Sequence, residues 1–475
     1  MPKVKKTKIV ATLGPATSNE EVIEKMMLAG VNVFRINFSH AVYDDVVKRI
    51  KTIRSLSEKH KTYTSILADL QGPKLRVGVI EDGAIVEPGD TIEFITTEPF
   101  VGNSKKAYMT YKRFPKDVTV GEKILLDDGK LIFEVISTDK KGKVTAKVIQ
   151  GGPFKSKKGV NLPNTKISLP ALTEKDMEDA IFAINQQVDW IALSFVRSSN
   201  DLIGLQKLIE KYSKHKIPII SKIEKPEALE NIDKIIAYSD GLMVARGDLG
   251  VEVPAAEVPL IQKQLVNKAK KARIPVIIAT QMMETMIDSL SPTRAEVNDV
   301  ANSVMDGADA VMLSGETSIG KHPVQVIEMM TSILKSVENS SLIQVPQTPP
   351  SIRTKRFITK SICYHAALMA NEIDAAAICT LTNSGYTAFQ ISAWRPKAHV
   401  LVFTSNKTIL SQLNLLWGVK AFYYDKFEST DKTVEQVNTI AKENGWVEKG
   451  DMLINLAAMP IIEKGMVNTL RVSQI

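Results

Sequence analysis

The sequence predicts an α/β protein: a parallel (β/α)8 barrel with an inserted small β-barrel lid domain, followed by a C-terminal α/β domain. Three observations carry this expectation. Eight short, β-branched apolar runs alternate with helix-period segments. One connection is interrupted by about 100 residues, too many for a structureless loop, and that stretch is patterned in period two. A Pro, Gln and Ser stretch, Gln344 to Ser351, then reads as a linker before α/β alternation resumes.

The eight strand runs are Thr7–Leu13, Val31–Asn37, Thr64–Leu70, Trp190–Val196, Pro218–Ile223, Gly241–Ala245, Pro275–Thr280 and Ala310–Ser314. The helical segments between and after them are Glu20–Ala29, Tyr43–His60, Thr173–Gln187, Asn200–Lys214, Pro226–Ala237, Ala255–Ala272, Pro292–Asp306 and Pro323–Asn339. Thr173 with Asp176 has the spacing of a capping box, and Pro226, Pro292 and Pro323 stand where helices begin. In the interruption, Gly83–Ile95, Lys123–Ser137 and Lys143–Ile149 alternate apolar and polar residues, broken by Pro-Gly, Asp-Asp-Gly and Lys-Gly turns. After the linker come a helix over Arg353–Asn371, a strand over Ala375–Leu381, a helix over Gly385–Trp394 and a strand over His399–Thr404. The resulting division is a TIM barrel over 1–71 and 168–343, a lid over 72–167 and a C-terminal domain over 352–475.

Composition fits this reading, since 475 residues at about 150 per domain give room for three cores. With 44% apolar and 24% charged residues, the chain is neither disordered nor fibrous. No apolar run approaches the roughly 20 residues of a membrane span, and the basic start Met1–Lys8 leads into a strand rather than a signal sequence, so a cytoplasmic enzyme with no membrane partner is expected. Two cysteines, Cys363 and Cys379, exclude a disulfide scaffold. The net charge of +8 suits anionic partners. Its lysine clusters are short and lack interleaved aromatics, which favours phosphorylated metabolites over nucleic acid.

Barrel enzymes collect their chemistry at the C-terminal ends of the strands. Here those ends read Arg35, Asn37, Ser39 and His40 on the second strand, Asp69 on the third and Lys222 with Glu224 on the fifth. The sixth ends in Gly247 and Asp248, the seventh in Thr280, and the eighth in Ser314 with Glu316. Glu224 and Asp248 are hard carboxylates suited to Mg2+, with Mn2+ as an alternative, while Arg35 and Lys222 would neutralise a phosphoryl group. Taken singly, each has a plain reading: a rim salt bridge for Arg35 or Glu224, a solvated loop for His40, tight turns for Gly247 and Gly315, a helix cap for Thr280. Convergence of six strand ends on one rim favours a site, because stability in a barrel is built by apolar interior layers.

The runs ATLGP, FRINFSH, GVNLP, LSFVR, SKIE, MVARGDLGVE, ATQMMETM, PTRAEVNDVANSVMDGADAVMLSGETSIGKHP and VNTLRV resemble the pyruvate kinase family nearly from end to end. The resemblance implies phosphoryl transfer from phosphoenolpyruvate to ADP, giving pyruvate and ATP, in a homotetramer. It implies that Arg35 contacts the phosphoryl group and Lys222 stabilises its transition state. Glu224 and Asp248 hold Mg2+, the backbone around Gly247 receives the substrate carboxylate, and Thr280 lies beside the enolate. Thr280 either gives the proton or orients a water chain with Ser314 and Glu316. Asn37, Ser39, His40, Arg76 and Lys158 match nucleotide-contacting positions, Lys158 from the lid.

Two departures from the family pattern matter. Where the family commonly reads Asp-Thr-Lys-Gly-Pro-Glu and needs K+, this chain reads Asp69-Leu70-Gln71-Gly72-Pro73-Lys74. The Lys74 ammonium is expected to replace the monovalent cation otherwise held by Asn37, Ser39 and Asp69, so that K+ is not required. Thr382, Asn383, Ser384, Gly385, Tyr386 and Thr387 match the family's effector phosphate loop, but Tyr386 stands where a basic residue is usual. Ala457–Gly465 also lacks the Gly, Trp and Arg pattern associated with fructose 1,6-bisphosphate. A monophosphorylated sugar, or no sugar effector, is therefore expected. Two other readings stay open on residues alone. Another Mg2+-dependent barrel enzyme of C3 or C4 acids would leave the nucleotide-facing residues unexplained, and a non-catalytic RNA-binding barrel would leave the intact strand ends unexplained.

Overall fold

The computed structural model describes residues 4–163, 165–343, 345–351, 353–426, 428–460 and 465–475. Eight parallel strands close a barrel in sequential order: β1 (Lys8–Thr12), β2 (Val33–Asn37), β3 (Ser65–Asp69), β4 (Trp190–Leu193), β5 (Ile219–Ile223), β6 (Gly241–Ala245), β7 (Val276–Ala279) and β8 (Ala310–Leu313). Each lies inside the run read from the sequence. Register alternation sends Val10, Val33, Leu67, Ile220, Met243 and Ile277 into one buried cluster and Ile9, Phe34, Ile66, Ile219, Leu242 and Ile278 into another, packed with helix residues such as Ile23 and Met330. The strands are therefore apolar on both faces, which is why they read as continuous runs.

The helices follow their signals with local corrections. Glu174–Asn185 begins with the Thr173–Asp176 capping box, and Pro226 and Pro323 occupy first-turn positions. Pro292 instead lies outside its helix, Arg294–Met305, which Thr293 caps with Glu296. The segment Pro226–Ala237 divides into Pro226–Glu230 and Ile232–Tyr238. Two short helices at the barrel mouth, Arg246–Glu252 and Gly315–Ser318, carry no helical periodicity in the sequence, because one or two turns hold too few apolar positions.

The insert is a six-stranded sheet ordered Val160–Asn161, Lys123–Leu126, Leu131–Thr138, Lys143–Gln150, Thr91–Ile95 and Lys106–Tyr108. Arg76 pairs with Gly159 beside one edge and Val77 with Met109 beside the other, so this one short segment draws the sheet toward closure as a half-barrel. The run Lys123–Ser137 proves to be a hairpin, turned at Asp127, Asp128 and Gly129 with φ of 51°, 57° and 82°. The run Gly83–Ile95 is broken between Ile85–Val86 and Thr91–Ile95.

In the C-terminal unit, β9 (Ala377–Leu381), β10 (His399–Thr404), β11 (Val419–Tyr423), β12 (Met452–Ala457) and β13 (Thr469–Gln474) form a sheet in the order β11-β10-β9-β12-β13, parallel except for β13. Its long helix starts at Phe357 rather than Arg353. Of the stretch Ala457–Gly465, residues 461–464 lie outside the described residues, as does Gln344 of the linker. The N-terminal end of the barrel is plugged by this unit: Trp190 donates to the Gln412 carbonyl at 3.1 Å, and Leu415 joins the interior cluster. The opposite end faces the insert.

Candidate active site

Arg35, on β2, lies across the barrel mouth. Its Nε donates to Asp69 Oδ2 at 2.6 Å and its Nη1 to Thr12 Oγ1 at 3.0 Å, leaving Nη2 without a partner among the described residues. Asp69 ends β3 and is only 1% exposed. Lys222 Nζ, from β5, sits 3.1 Å from Asp69 Oδ1 as an ion pair lacking hydrogen-bond alignment, 3.0 Å from Glu224 Oε1, and donates to Ser194 Oγ at 2.6 Å. Four charged strand-end groups thus meet within direct contact distance.

Their electrostatics follow from burial opposed by neighbours. Burial pulls the Lys222 pKa down, but Asp69 and Glu224 outweigh it and hold this ammonium above the ordinary lysine range. Burial raises Asp69, yet Lys222 and Arg35 keep it below the usual carboxylate value. For Glu224, burial and then the repulsion of Asp248 win over Lys222, so its pKa is raised. Such mutual repulsion between Glu224 and Asp248 is what a divalent cation would relieve. Among the described residues no three His, Cys, Asp or Glu side chains cluster to hold a metal. Two carboxylates and several exchangeable positions suit Mg2+, which retains waters and substrate oxygens.

Backbone geometry positions the remaining groups. Thr280 has φ of +72° and Gln281 +53°, a left-handed pair costly for a β-branched residue. Thr280 Oγ1 donates to the Ala279 carbonyl at 2.5 Å and accepts from Gly247 N at 2.7 Å. Arg246 donates to the Thr280 carbonyl at 2.7 Å and pairs with Asp299, clamping the turn. Glu316, buried and raised in pKa by that burial, accepts from Met283 N at 3.1 Å and Ser314 N at 2.7 Å. It holds two loops rather than facing the mouth with a free carboxylate.

Not every sequence-derived residue joins this centre. Asn37 accepts from Ser39 N at 3.1 Å, and His40 is exposed beside them. Arg76 donates to the Lys157 carbonyl at 2.9 Å and Lys158 pairs with Asp127 at 2.9 Å, both within the insert. Lys74 is exposed and forms no ion pair among the described residues. It lines the cleft shared by Gly159, Phe195, Lys225 and Asp248, so the expected juxtaposition with Asn37, Ser39 and Asp69 is not formed. The positive charges beside Asp69 are instead Arg35 and Lys222. In the effector loop, Thr382 Oγ1 accepts from Gly385 N at 3.0 Å, Gly385 has φ of +77°, and Thr387 hydrogen-bonds Thr380 at 2.9 Å. Asn383, Ser384 and Tyr386 line a cavity of about 500 Å³ with Arg356, whose guanidinium lies over the Tyr386 ring at 4.2 Å. The sequence reading missed Arg356, along with Thr12 and Ser194; the latter two end or follow strands and were legible by the rule that found Arg35.

The barrel and its polar rim define an α/β-barrel enzyme that concentrates cations and carboxylates for phosphoryl chemistry. Family models described as pyruvate kinase barrel domain and pyruvate kinase alpha/beta domain match residues 4–327 and 360–473. The chain is 41% identical to a pyruvate kinase of Geobacillus stearothermophilus, over 98% of this chain and 80% of that protein. It is 42% identical to one from Corynebacterium glutamicum, over 98% and 97%. A solved pyruvate kinase from Cryptosporidium parvum superposes with a TM-score of 0.91 at 33% identity, covering 99% of this chain and 96% of that one. The chain belongs to the pyruvate kinase family, and its reaction is phosphoryl transfer from phosphoenolpyruvate to ADP, giving pyruvate and ATP in the last step of glycolysis.

Proposed function

We propose that the barrel mouth performs this transfer with Arg35 and Lys222 as the cations on the phosphoryl group. The contact of Lys222 with Asp69, Glu224 and Ser194 carries the reading, because it keeps a permanently charged ammonium fixed where negative charge must be stabilised. Glu224 and Asp248 would hold Mg2+, or Mn2+ in its place, which when bound would offset the negative charge of the transferring group. The Gly247 backbone receives the substrate carboxylate. Thr280 stands beside the enolate, and because its hydroxyl proton is engaged by the Ala279 carbonyl, it gives that proton only by exchanging the bond; otherwise it orients water. Glu316 and Ser314 act by positioning the adjoining loops.

Asn37, Ser39, His40, Arg76 and Lys158 would contact the nucleotide. The insert would swing away to admit ADP and return to exclude water, the cleft lined by Lys74, Phe195 and Asp248 lying where it meets the barrel mouth. Catalysis without K+ rests on Lys74 standing where the family pattern commonly carries Glu, with Leu70 and Gln71 departing beside it; its charge lines the cleft beside Asp248 rather than contacting Asp69. The remaining parts of this reading are domain limits at 1–71 with 168–343, 72–167 and 352–475, a homotetramer, a cytoplasmic location and a phosphorylated-sugar effector at Thr382–Thr387. No helix among the described residues is long and apolar enough to cross a membrane. The test is a lactate dehydrogenase-coupled assay with phosphoenolpyruvate, ADP and Mg2+ in buffer free of K+. Near-full turnover is expected; stimulation of about tenfold or more by K+ at constant ionic strength would refute the K+ independence while leaving the transfer intact.

A further inference from the structure

At the end of the barrel opposite the active site, where β1 begins and the C-terminal unit docks, the structure encloses a cavity of about 690 Å³. Five lysines line it: Lys5, Lys6 and Lys8 at the start of the chain, Lys335 on the helix Pro323–Glu338, and Lys420 on β11. No Asp or Glu occurs among the described residues lining it. Lys5 and Lys8 are buried, and their ammonium groups rest on neutral acceptors. Lys5 donates to Asn32 Oδ1 at 2.5 Å and the Thr7 carbonyl at 3.1 Å, and Lys8 donates to the Val419 carbonyl at 2.9 Å. Glu338, a neighbouring carboxylate, accepts from the backbone amides of Lys6 and Thr7 at 2.7 and 2.5 Å. It lends these lysines only long-range charge. Burial, followed by repulsion from Lys5 and Lys420, pulls Lys8 well below the ordinary lysine range, and burial brings Lys5 down to about 7.

With the nearby Glu338 carboxylate engaged by two backbone amides, burying Lys5 and Lys8 on neutral acceptors is unfavourable for folding. An anion seated among them would reverse that cost and tie β1 to β11 across the junction of the two units. The cavity also has an organic wall, Trp446, whose indole meets the His399 ring at a centroid distance of 5.0 Å. We propose that this cavity binds a small phosphate-bearing anion, separately from both the barrel mouth and the loop Thr382–Thr387. Free phosphate, a sugar phosphate and a nucleotide share the chemistry that the lysines recognise.

The experiment is calorimetric titration of the full chain with inorganic phosphate, a hexose monophosphate and a nucleoside monophosphate, with thermal melting in parallel. Wild type, Lys8→Met, Lys420→Gln and the double variant Thr382→Ala/Ser384→Ala are compared. At least one probe should bind and raise the melting temperature. Lys8→Met and Lys420→Gln should weaken that binding by about tenfold or more while basal turnover is retained, and the double variant should leave it unchanged. Preference for an organic probe assigns the ligand to that class; equal binding of all three assigns free phosphate. Should Lys8→Met not fold, Lys420→Gln and the exposed Lys335→Gln decide. Binding unaffected by the lysine changes, lost in the double variant, or absent at millimolar probe overturns the proposal.

Discussion

Lys222 keeps its charge in a buried setting because two carboxylates face it, and those carboxylates depend on it in turn. Lys222→Met should lower turnover by about 10² to 10³, the usual effect of deleting one donor aimed at developing charge. It should also lower the melting temperature, since Asp69 would then keep only Arg35 and Glu224 would lose its ion pair. Lys222→Arg separates the two effects, restoring melting more than turnover, because a planar fork cannot reproduce the position of a point charge. Turnover of Lys222→Met within tenfold of wild type would remove Lys222 from the transfer step. Glu224→Gln should shift the Mg2+ titration to higher concentration, since a neutral amide is a poorer ligand for a hard cation. An unchanged titration curve would exclude Glu224 from the metal site.

At the scale of elements, side-chain hydrogen bonds fasten the insert to the barrel, and two of these attachments differ in kind. Asn161 on its edge strand donates to Glu252 at 2.9 Å, at the end of the short helix Arg246–Glu252, and Lys225 holds the same oxygen at 2.6 Å. Arg197 donates to the Ile167 and Leu169 carbonyls where the insert rejoins the barrel. The first contact can open and the second acts as a hinge anchor. A hydrogen bond to a charged partner contributes about 1.5–3 kcal/mol, so Asn161→Ala should raise KM for ADP by about tenfold with a smaller effect on kcat. Equal losses in kcat and kcat/KM would instead mean that Asn161 serves the transition state alone. Gly72, with φ of +70°, begins the insert, and a Cβ there would meet the Phe195 ring at 2.7 Å, so the first crossover into the insert admits no side chain.

Across the whole molecule, the barrel and C-terminal unit are joined by buried charge as well as apolar surface. Asp309 lies between Lys270 and Arg395; burial would raise its pKa, but Arg395 and Lys270 together hold it below the usual carboxylate range. Arg395 also stacks on Trp417 at 4.7 Å. Arg395→Ala should cost about 3–5 kcal/mol of stability by leaving a buried carboxylate underpaired, read as a lower denaturant midpoint. His399 gives the junction a pH response. Burial, aided by repulsion from Lys6, lowers its pKa to about 4. Below the unfolded value near 6.5 the unfolded chain takes up the proton first, so this stabilisation is full above that pH and is lost as pH falls from about 6.5 to 4. His399→Gln should flatten the melting curve across that window relative to wild type. An identical pH slope in both proteins would show that His399 does not set it.

Periodicity and punctuation were enough to locate all eight barrel strands, the boundary helices and the interrupted third unit, because each element's pattern is local: both-face burial for strands, caps and prolines for helices. The rule that barrel chemistry sits at strand ends likewise exposed Arg35, Asp69, Lys222, Glu224 and Thr280 as one rim. What local pattern does not contain is distance between residues far apart in the chain. Only the folded arrangement shows that Ser194 and Asp69 flank Lys222, that Lys74 faces the cleft instead of Asp69, and that Arg356 reaches the loop at Tyr386. The left-handed Thr280 is equally hidden, since a β-branched residue argues against that conformation and the Arg246 clamp imposes it. The lysine cavity is likewise a tertiary product, because Lys8, Lys335 and Lys420 belong to three elements whose charges meet only when the barrel and C-terminal unit pack together.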